Sequence, residues 1–350
     1  MSIFYKLRVK EVRRETVDAV SVAFDVPDEL KKEFSFLPGQ YITIQKDLDD
    51  SLLRRAYSIC SSPYSDELRV AIKHVEKGRF SNYANQDLKE GDSLDVAGPE
   101  GRFVLEIDQS SQKDYLAIAA GSGITPIMSM IKAVLENEKE SRFALIYGSK
   151  SGEKTIFRDE LDEMDASSGG RLQVQYVYSQ IISDKALFGR IDGKMIKKLL
   201  KNEFSDWNFE TYFLCGPEEM IDDTKARLIK NGINEDAIKL ELFSSTSNKK
   251  EVTKSLSGNT EITIVLDDEE VTFEMRRDEL ILDVALANAL DAPYSCQGGV
   301  CSSCLAKVVE GEAVMERNTI LDDEEIEEGL ILTCQAHPTT SKIKIDYDDV

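Results

Sequence analysis

Histidine is nearly absent. The chain has two, His74 and His337, in 350 residues. A Rieske-type iron–sulfur centre replaces two cysteine ligands with histidines, and neither histidine lies in the cysteine-rich loop near the end of the chain, so that centre is excluded. His337, just before Pro338, is expected to be a solvated turn residue. Long apolar runs are missing too, and the longest falls far short of the ~20 residues of a membrane helix. The opening stretch, Met-Ser-Ile-Phe-Tyr-Lys-Leu-Arg-Val, alternates like a strand and lacks a signal-peptide core. A cytoplasmic location is therefore expected, where thiols stay reduced. Basic residues are few beside acidic ones, 43 against 65, for a formal charge of −22. From Leu256 onward about 22 acidic residues face 6 basic ones, which leaves about −16 in the last quarter. Such a surface repels nucleic acid and anionic membrane. It suits docking to a basic protein partner by electrostatic steering, or serves solubility alone. No internal repeat or low-complexity block is found.

The six cysteines are unevenly placed. Cys296, Cys301 and Cys304 fall in a C-x4-C-x2-C loop, and Cys334 follows at Leu-Thr-Cys-Gln-Ala-His337. This is the plant-type ferredoxin spacing for a [2Fe-2S] cluster. Four thiolates must converge on a small volume. A short loop wraps three around one edge, and a distant segment supplies the fourth. Gly298 and Gly299 are expected to take φ > 0 and aim N–H groups at the cluster sulfurs. A structural zinc, which usually takes paired C-x2-C units or a Cys/His mixture, is the alternative use of these thiols.

The rest of the chain reads as two or three domains. From Phe4 to about Val96 the pattern has strand period, with candidates at Tyr5–Val12, Ala19–Val26, Gln40–Gln45, Leu68–Val75 and Ser93–Ala97. Short strands with turns between them suggest a small antiparallel β-barrel. Within it stands Arg54-Arg-Ala-Tyr-Ser58, followed by Gly78-Arg-Phe-Ser-Asn82 after the strand that ends in Lys73-His74-Val75. From about Tyr115 the pattern changes to apolar strands alternating with helices, at Tyr115–Ala120, Phe143–Tyr147, Leu172–Tyr178 and Thr211–Cys215. This predicts a parallel sheet covered by helices, for example Ile127–Leu135, Ile156–Met164 and Lys194–Leu200. The first strand runs into Gly121-Ser-Gly-Ile-Thr-Pro126, a strand–glycine–helix cradle for phosphate. The last ends in Cys215-Gly216-Pro217.

These motifs, in this order, resemble the ferredoxin–NADP reductase superfamily. The resemblance implies that Arg55 meets the flavin phosphate, that Ala56 and Tyr57 lie along the isoalloxazine, and that Ser58 stands near flavin N5. It implies that Lys73, His74, Val75, Gly78, Phe80 and Ser81 hold the rest of an FAD. Relatives often carry two glycines where this chain has Lys77-Gly78. Gly121, Gly123, Thr125 and Pro126 match the loop that faces the nicotinamide dinucleotide, and Cys215, Gly216 and Pro217 match the segment beside the nicotinamide ring. Ser58 and Cys215 are the candidate catalytic residues. Ser149, Lys150, Arg158 and Ser179 are candidates for the nucleotide's phosphates. Relatives that prefer NADPH often have Ser-Arg where this chain has Ser179-Gln180, so the donor is read as NADPH or NADH, leaning to NADPH.

Residues 244–259 are small, polar and hardly periodic, and read as a linker. Phe243, just before them, is read as core packing, with cover of the flavin site as the alternative. A hairpin (Glu261–Leu266, Val271–Met275), a helix (Leu280–Leu290), the cysteine loop and a strand (Leu305–Val309) follow, an order that resembles the β-grasp fold of plant-type ferredoxins. The expected division is therefore 1–108 for a FAD-binding barrel, 109–243 for a NAD(P)H-binding α/β domain and 260–350 for a [2Fe-2S] domain. The chemistry explains the order. A nicotinamide gives two electrons as hydride and one such cluster takes one, so a flavin must stand between them. As a whole the chain resembles the reductase components of bacterial oxygenases. The stretches Tyr5–Thr16, Arg69–Lys73, Pro99–Phe103 and Pro293–Cys296 are most similar to the reductase components of phenylacetyl-CoA epoxidases. The implied function is an NAD(P)H-dependent flavin and iron–sulfur oxidoreductase serving a partner oxygenase. Other oxygenases, hydroxylases or desaturases are alternative partners; a zinc-binding module or a redox sensor is the alternative of another class.

Overall fold

Alternating apolar residues build the first sheet. In a computed structural model of the chain, which describes residues 3–48, 52–244, 256–294, 297–318 and 320–350, β1 (Phe4–Thr16) turns Leu7 and Val9 inward and Arg8 and Lys10 outward. It pairs antiparallel with β2 (Ala19–Asp25) through a two-residue turn at Val17-Asp18. With β3 (Tyr41–Asp47), β4 (Leu52–Ser58), β5 (Leu68–Lys73) and β6 (Ser93–Ala97) they form an antiparallel sheet of order β4-β3-β6-β1-β2-β5. The two outer strands meet through an Ile59–Val70 bridge, which closes the sheet into a barrel. Its interior is branched aliphatics, among them Val22, Ile42, Ile44, Ile72 and Val96, with Phe80 from helix α1 (Arg79–Gln86) closing one end. Each such side chain contributes about 1.5–3 kcal/mol by leaving water.

The second sheet is parallel and doubly covered, as its continuous apolar runs predict. It contains β7 (Asp114–Ala120), β8 (Arg142–Ser149), β9 (Leu172–Tyr178), β10 (Leu187–Phe188), β11 (Phe209–Pro217) and β12 (Ile238–Ser244), in the order β10-β9-β8-β7-β11-β12. Helices α2 (Ile124–Asn137), α3 (Arg158–Ser167), α4 (Gly193–Asn202) and α5 (Glu218–Lys230) connect the strands. The chain winds outward from β7 to β10, then returns to lay β11 on the other side of β7. That reversal is a topological switch point, and it opens a crevice beyond the carboxyl ends of β7 and β11. Helix α2 begins at Ile124, three residues before the expected start, so Pro126 stands inside its first turn where a missing N–H costs nothing. Barrel and parallel sheet form one unit, Phe4–Ser244. Ala19, Cys60 and Ala71 of the barrel share a core with Ile127 and Met130, and the Ser129 hydroxyl donates to Ser61 O at 2.7 Å.

The other unit, Met1–Ile3 with Ser245–Val350, holds a mixed sheet of order β14-β13-β19-β15-β17. Its strands are β13 (Asn259–Leu266), β14 (Glu269–Arg276), β15 (Leu305–Glu310), β17 (Leu330–Leu332) and β19 (Lys342–Asp346). Central β13 and β19 run parallel, the β-grasp arrangement. Helix α6 (Ile281–Ala287) packs Ile281, Leu282 and Ala285 into the core. It is shorter than the expected Leu280–Leu290, because Asn288 closes it and Ala289 turns left-handed at φ 61°. A short helix α7 (Asp323–Glu327) carries a capping box between Asp322 and Glu325. Strands β16 (Ala313–Met315) and β18 (Ala336–Pro338) pair beside the sheet. That pairing corrects the reading of His337. It is 1% exposed, with Nδ1 2.8 Å from Glu279 O and Nε2 3.0 Å from Glu316 Oε1. Pro338 ends a strand here and does not mark a solvated turn. Most of the expected linker, residues 245–255, lies outside the described residues. Among the described residues no helix is long and apolar enough to cross a membrane.

Candidate functional site

Strand alternation sorts the arginine pair of β4. Arg54 is buried, its guanidinium 5.0 Å over the Phe4 ring and its Nε donating to Gln45 at 2.7 Å. Arg55 lies half-buried on the other face with Tyr57, its Nη1 donating to Arg54 O at 2.6 Å. The Tyr57 ring is tilted against Phe80 at 5.7 Å. Burial raises the Tyr57 hydroxyl pKa, and Arg55 acts in the opposite sense. Ala56 is half-buried between them. Beyond β5, the N–H of His74 donates to Asp18 O at 2.8 Å and that of Val75 to Ser81 Oγ at 3.1 Å. A Cβ on Gly78 would stand 2.5 Å from Ser81 Oγ, so only glycine lets this turn start α1. Lys77 takes φ 63°, the left-handed conformation that the second glycine of relatives supplies without strain.

The barrel and the parallel sheet meet at one carboxylate. Ser58 Oγ donates to Glu241 Oε2 at 3.5 Å, and Cys215 Sγ donates to the same oxygen at 4.0 Å. All three side chains are buried. Burial, and then the charge of Glu241, raise the Cys215 pKa well above that of a free thiol. Cys215 is thus a neutral thiol and no nucleophile. Glu241 was not foreseen from the sequence. Its signal was an acid set inside the apolar run Leu240-Glu-Leu-Phe243 of β12.

A cavity of about 580 Å³ opens at the switch point. Of the residues expected at the nicotinamide dinucleotide, Gly121, Ser149, Lys150, Ser179, Gly216 and Pro217 line it, joined by Lys73, which was expected at the flavin, and by Ser122, Lys154, Arg190 and Phe243. Phe243 packs against the core, as read, and also walls this cavity. Gly121 (φ 58°) and Gly216 (φ 154°) both take backbone angles that favour glycine. Gly123 is buried, and a Cβ there would lie 2.6 Å from the Cys215 carbonyl carbon. Thr125 and Pro126 are buried behind the loop, the Thr125 hydroxyl donating to Ser122 O at 3.0 Å. Arg158 lies on a neighbouring cavity with Tyr176 and Tyr178, 3.3 Å from Asp159. Arg190 and Lys154 are the cations that sequence reading missed; the signal for Arg190 was Gly189-Arg190 directly after a β-strand. Burial lowers the Lys73 pKa; Asp18 opposes that shift, and Lys150 and Lys154 add to it.

In the C-terminal unit Cys301, Cys304 and Cys334 are all buried, while Cys296 lies outside the described residues. Of the two loop glycines only Gly299 takes positive φ, at 68°, and the other left-handed residue is Gln297 at 53°, which corrects the expectation for Gly298. A Cβ on Gly299 would meet Arg317 O and Gln335 Cγ, each at 3.0 Å. The two cysteine segments are stitched together. Thr333 donates from N–H and hydroxyl to Cys304 O at 3.1 and 3.0 Å, and Gln335 Nε2 donates to Gln297 O at 3.2 Å. Burial raises the Tyr347 hydroxyl pKa, and the neighbouring Cys304 and Cys334 add to it. Three buried thiols on two stitched segments offer the soft donors that an iron–sulfur cluster takes.

Comparison with known proteins gives three domain families in the same order. The oxidoreductase FAD-binding domain matches residues 6–105, the oxidoreductase NAD-binding domain 117–226, and the 2Fe-2S iron-sulfur cluster binding domain 264–339. The chain is 39% identical to the E subunit of 1,2-phenylacetyl-CoA epoxidase from Escherichia coli (strain K12), over 99% of each protein. The chain belongs to the ferredoxin–NADP reductase superfamily, in the branch with a C-terminal [2Fe-2S] domain. This reductase is also 32% identical to the ferredoxin reductase component of 3-ketosteroid-9-alpha-monooxygenase from Rhodococcus rhodochrous, over 97% of the chain and 96% of the relative. Its fold is that of phthalate dioxygenase reductase, with a TM-score of 0.62 and 98% of each chain covered at 21% identity. The reductase is thus a component of oxygenase systems, with FAD, NAD and 2Fe-2S domains, as its motif order implied.

Proposed function

We propose that this reductase takes hydride from NADPH or NADH at the junction of Ser58, Cys215 and Glu241. The barrel would hold FAD, and Cys296, Cys301, Cys304 and Cys334 would hold a [2Fe-2S] cluster; the flavin would supply the step from paired to single electrons. The observation that carries this reading is the shared carboxylate. A residue of the flavin motif and one of the nicotinamide motif donate to a single oxygen, Glu241 Oε2, at 3.5 and 4.0 Å. Glu241 thereby fixes a donor of each motif at one point.

The remaining roles follow from position. Arg55 reaches the flavin phosphates, Tyr57 packs on the isoalloxazine beside Ala56, and the first turn of α1, at Gly78, Phe80 and Ser81, meets the pyrophosphate. Lys73, His74 and Val75 edge the same site. Gly121 and Gly123 bring backbone close to the nicotinamide half, with Thr125 and Pro126 fixing the helix behind them. Gly216 and Pro217 complete that wall. Ser149, Lys150 and Ser179, with Arg190, surround the adenosine phosphates, and Arg158 borders the adenine end. Two cations and two hydroxyls there suit a 2′-phosphate, which favours NADPH over NADH.

The acceptor is the oxygenase component of a phenylacetyl-CoA epoxidase, docked on the acidic [2Fe-2S] domain in the cytoplasm. The full-length identity to a reductase of that system supports the choice. The test is reconstitution. With that oxygenase component and phenylacetyl-CoA, NADPH oxidation coupled to the gain of one oxygen atom by the intact thioester supports the assignment. Fast reduction of cytochrome c with no coupled turnover refutes the partner while leaving the relay intact.

A further inference from the structure

The lysines of the nucleotide cavity are not all idle. Lys154, in the turn after β8, reaches across to the barrel and sits 3.7 Å from Asp18 Oδ2. Asp18 is at the tip of the β1–β2 turn, half-buried beside the exposed Val17. Its other oxygen is held by the Thr16 hydroxyl at 2.9 Å, and its carbonyl accepts from the His74 N–H at 2.8 Å, so the carboxylate is placed and does not wander. Asp18, Lys150 and Lys154 all act electrostatically on Lys73, whose backbone pairs with Ala19 next to the turn. Among the described residues no other carboxylate makes an ion pair with a lysine of this cavity. Of the other acids on its wall, Asp192 and Asp223 are engaged by backbone N–H groups at the start of α4, and Glu219 stands in the first turn of α5, where the helix dipole favours its charge.

We infer that Asp18 is a built-in competitor of the nucleotide: its carboxylate pairs with Lys154 and has to release it when the dinucleotide phosphates bind. The inference rests on the reading of this cavity as the NAD(P)H site. Three lysines without a counter-ion would hold any dinucleotide tightly, oxidised product included. NADP⁺ and NADPH carry the same phosphates, so an internal anion weakens both alike and speeds product release.

The test is binding of NADP⁺ and NAD⁺ to the oxidised holoprotein, followed by calorimetry, in wild type, Asp18→Asn, Lys154→Gln and the double variant. Asparagine keeps the acceptor oxygen for Thr16 and removes only the charge. A partly exposed pair is worth little, so Asp18→Asn is expected to tighten NADP⁺ by about two- to five-fold. Lys154→Gln weakens it, and in that background Asp18→Asn has no further effect. An Asp18→Asn protein that keeps its flavin and binds NADP⁺ as weakly as wild type, or more weakly, overturns the inference. If wild type binds neither nucleotide, the assignment of the cavity fails instead.

Discussion

Gly123→Ala tests the nucleotide site without touching any charge. The glycine has an ordinary helical φ of −61°, so alanine meets no backbone strain there. It meets the neighbouring strand. The new Cβ would lie 2.6 Å from the Cys215 carbonyl carbon and 3.0 Å from Gly216 N. Carbon pairs want about 3.5 Å, so the loop and the end of β11 must part by roughly 1 Å. Neither can yield elsewhere, because Gly123, Thr125 and Cys215 are all buried. Overpacking of this kind costs about 1–3 kcal/mol of stability, which a core of this size absorbs. The cost to chemistry is larger, since a misplacement of ~1 Å at reacting groups lowers rates by ~100-fold. The assay is anaerobic stopped-flow reduction of the flavin by NADPH, with flavin content and cluster absorbance as controls for folding. A variant that keeps both and reduces its flavin within three-fold of the wild-type rate refutes the close-approach argument.

Glu241→Gln removes the shared anion and is expected to slow flavin reduction by ~10–100-fold, the loss of about 1.5–3 kcal/mol for a hydrogen bond to a charged group, with flavin content unchanged; an unaltered rate refutes its role. Lys77→Gly relieves a left-handed lysine and is expected to raise stability by about 0.5–1 kcal/mol in thermal unfolding; a lower midpoint counts against it. Lys73 has a pKa lowered by burial, so its charge is lost at a lower pH than for a free lysine. The KM for nucleotide is therefore expected to rise with pH before the usual lysine range, and Lys73→Met to flatten that limb. The same lowered value makes the folded state bind protons less tightly than the unfolded one, so stability rises with pH across the window between the two values.

Legibility in the sequence followed contiguity. The cysteine loop, Arg55-Ala-Tyr-Ser58, the Gly121–Pro126 loop and Cys215-Gly-Pro217 were readable because each needs a particular run of backbone, and a run leaves a mark in order and spacing. The parallel sheet was readable from its apolar strands, and its strand ends brought Gly121, Ser149, Ser179 and Gly216 to one cavity. What escaped were residues that matter only through tertiary convergence. Glu241 reaches Ser58 across 183 residues of chain. Asp18 and Lys154 meet because a barrel turn reaches the end of β8. His337 was misread because Pro338 signals a turn locally, whereas the pairing of β16 with β18 buries it. Gly298 was misread because the loop gives its second left-handed position to Gln297, a residue that pattern reading leaves out.

One measurement bears most directly on the relay from nicotinamide through flavin to cluster. The anaerobically purified holoprotein is titrated with NADPH, and in parallel with NADH, while visible absorbance and the electron paramagnetic resonance of a reduced [2Fe-2S] centre are followed together. The account predicts that flavin and cluster bands bleach in the same titration and that the resonance grows with them. In a Cys304→Ser protein only the flavin bleaches. Flavin bleaching in wild type with an intact but unreduced cluster, or a protein that holds neither group after anaerobic preparation with iron supplied, contradicts it.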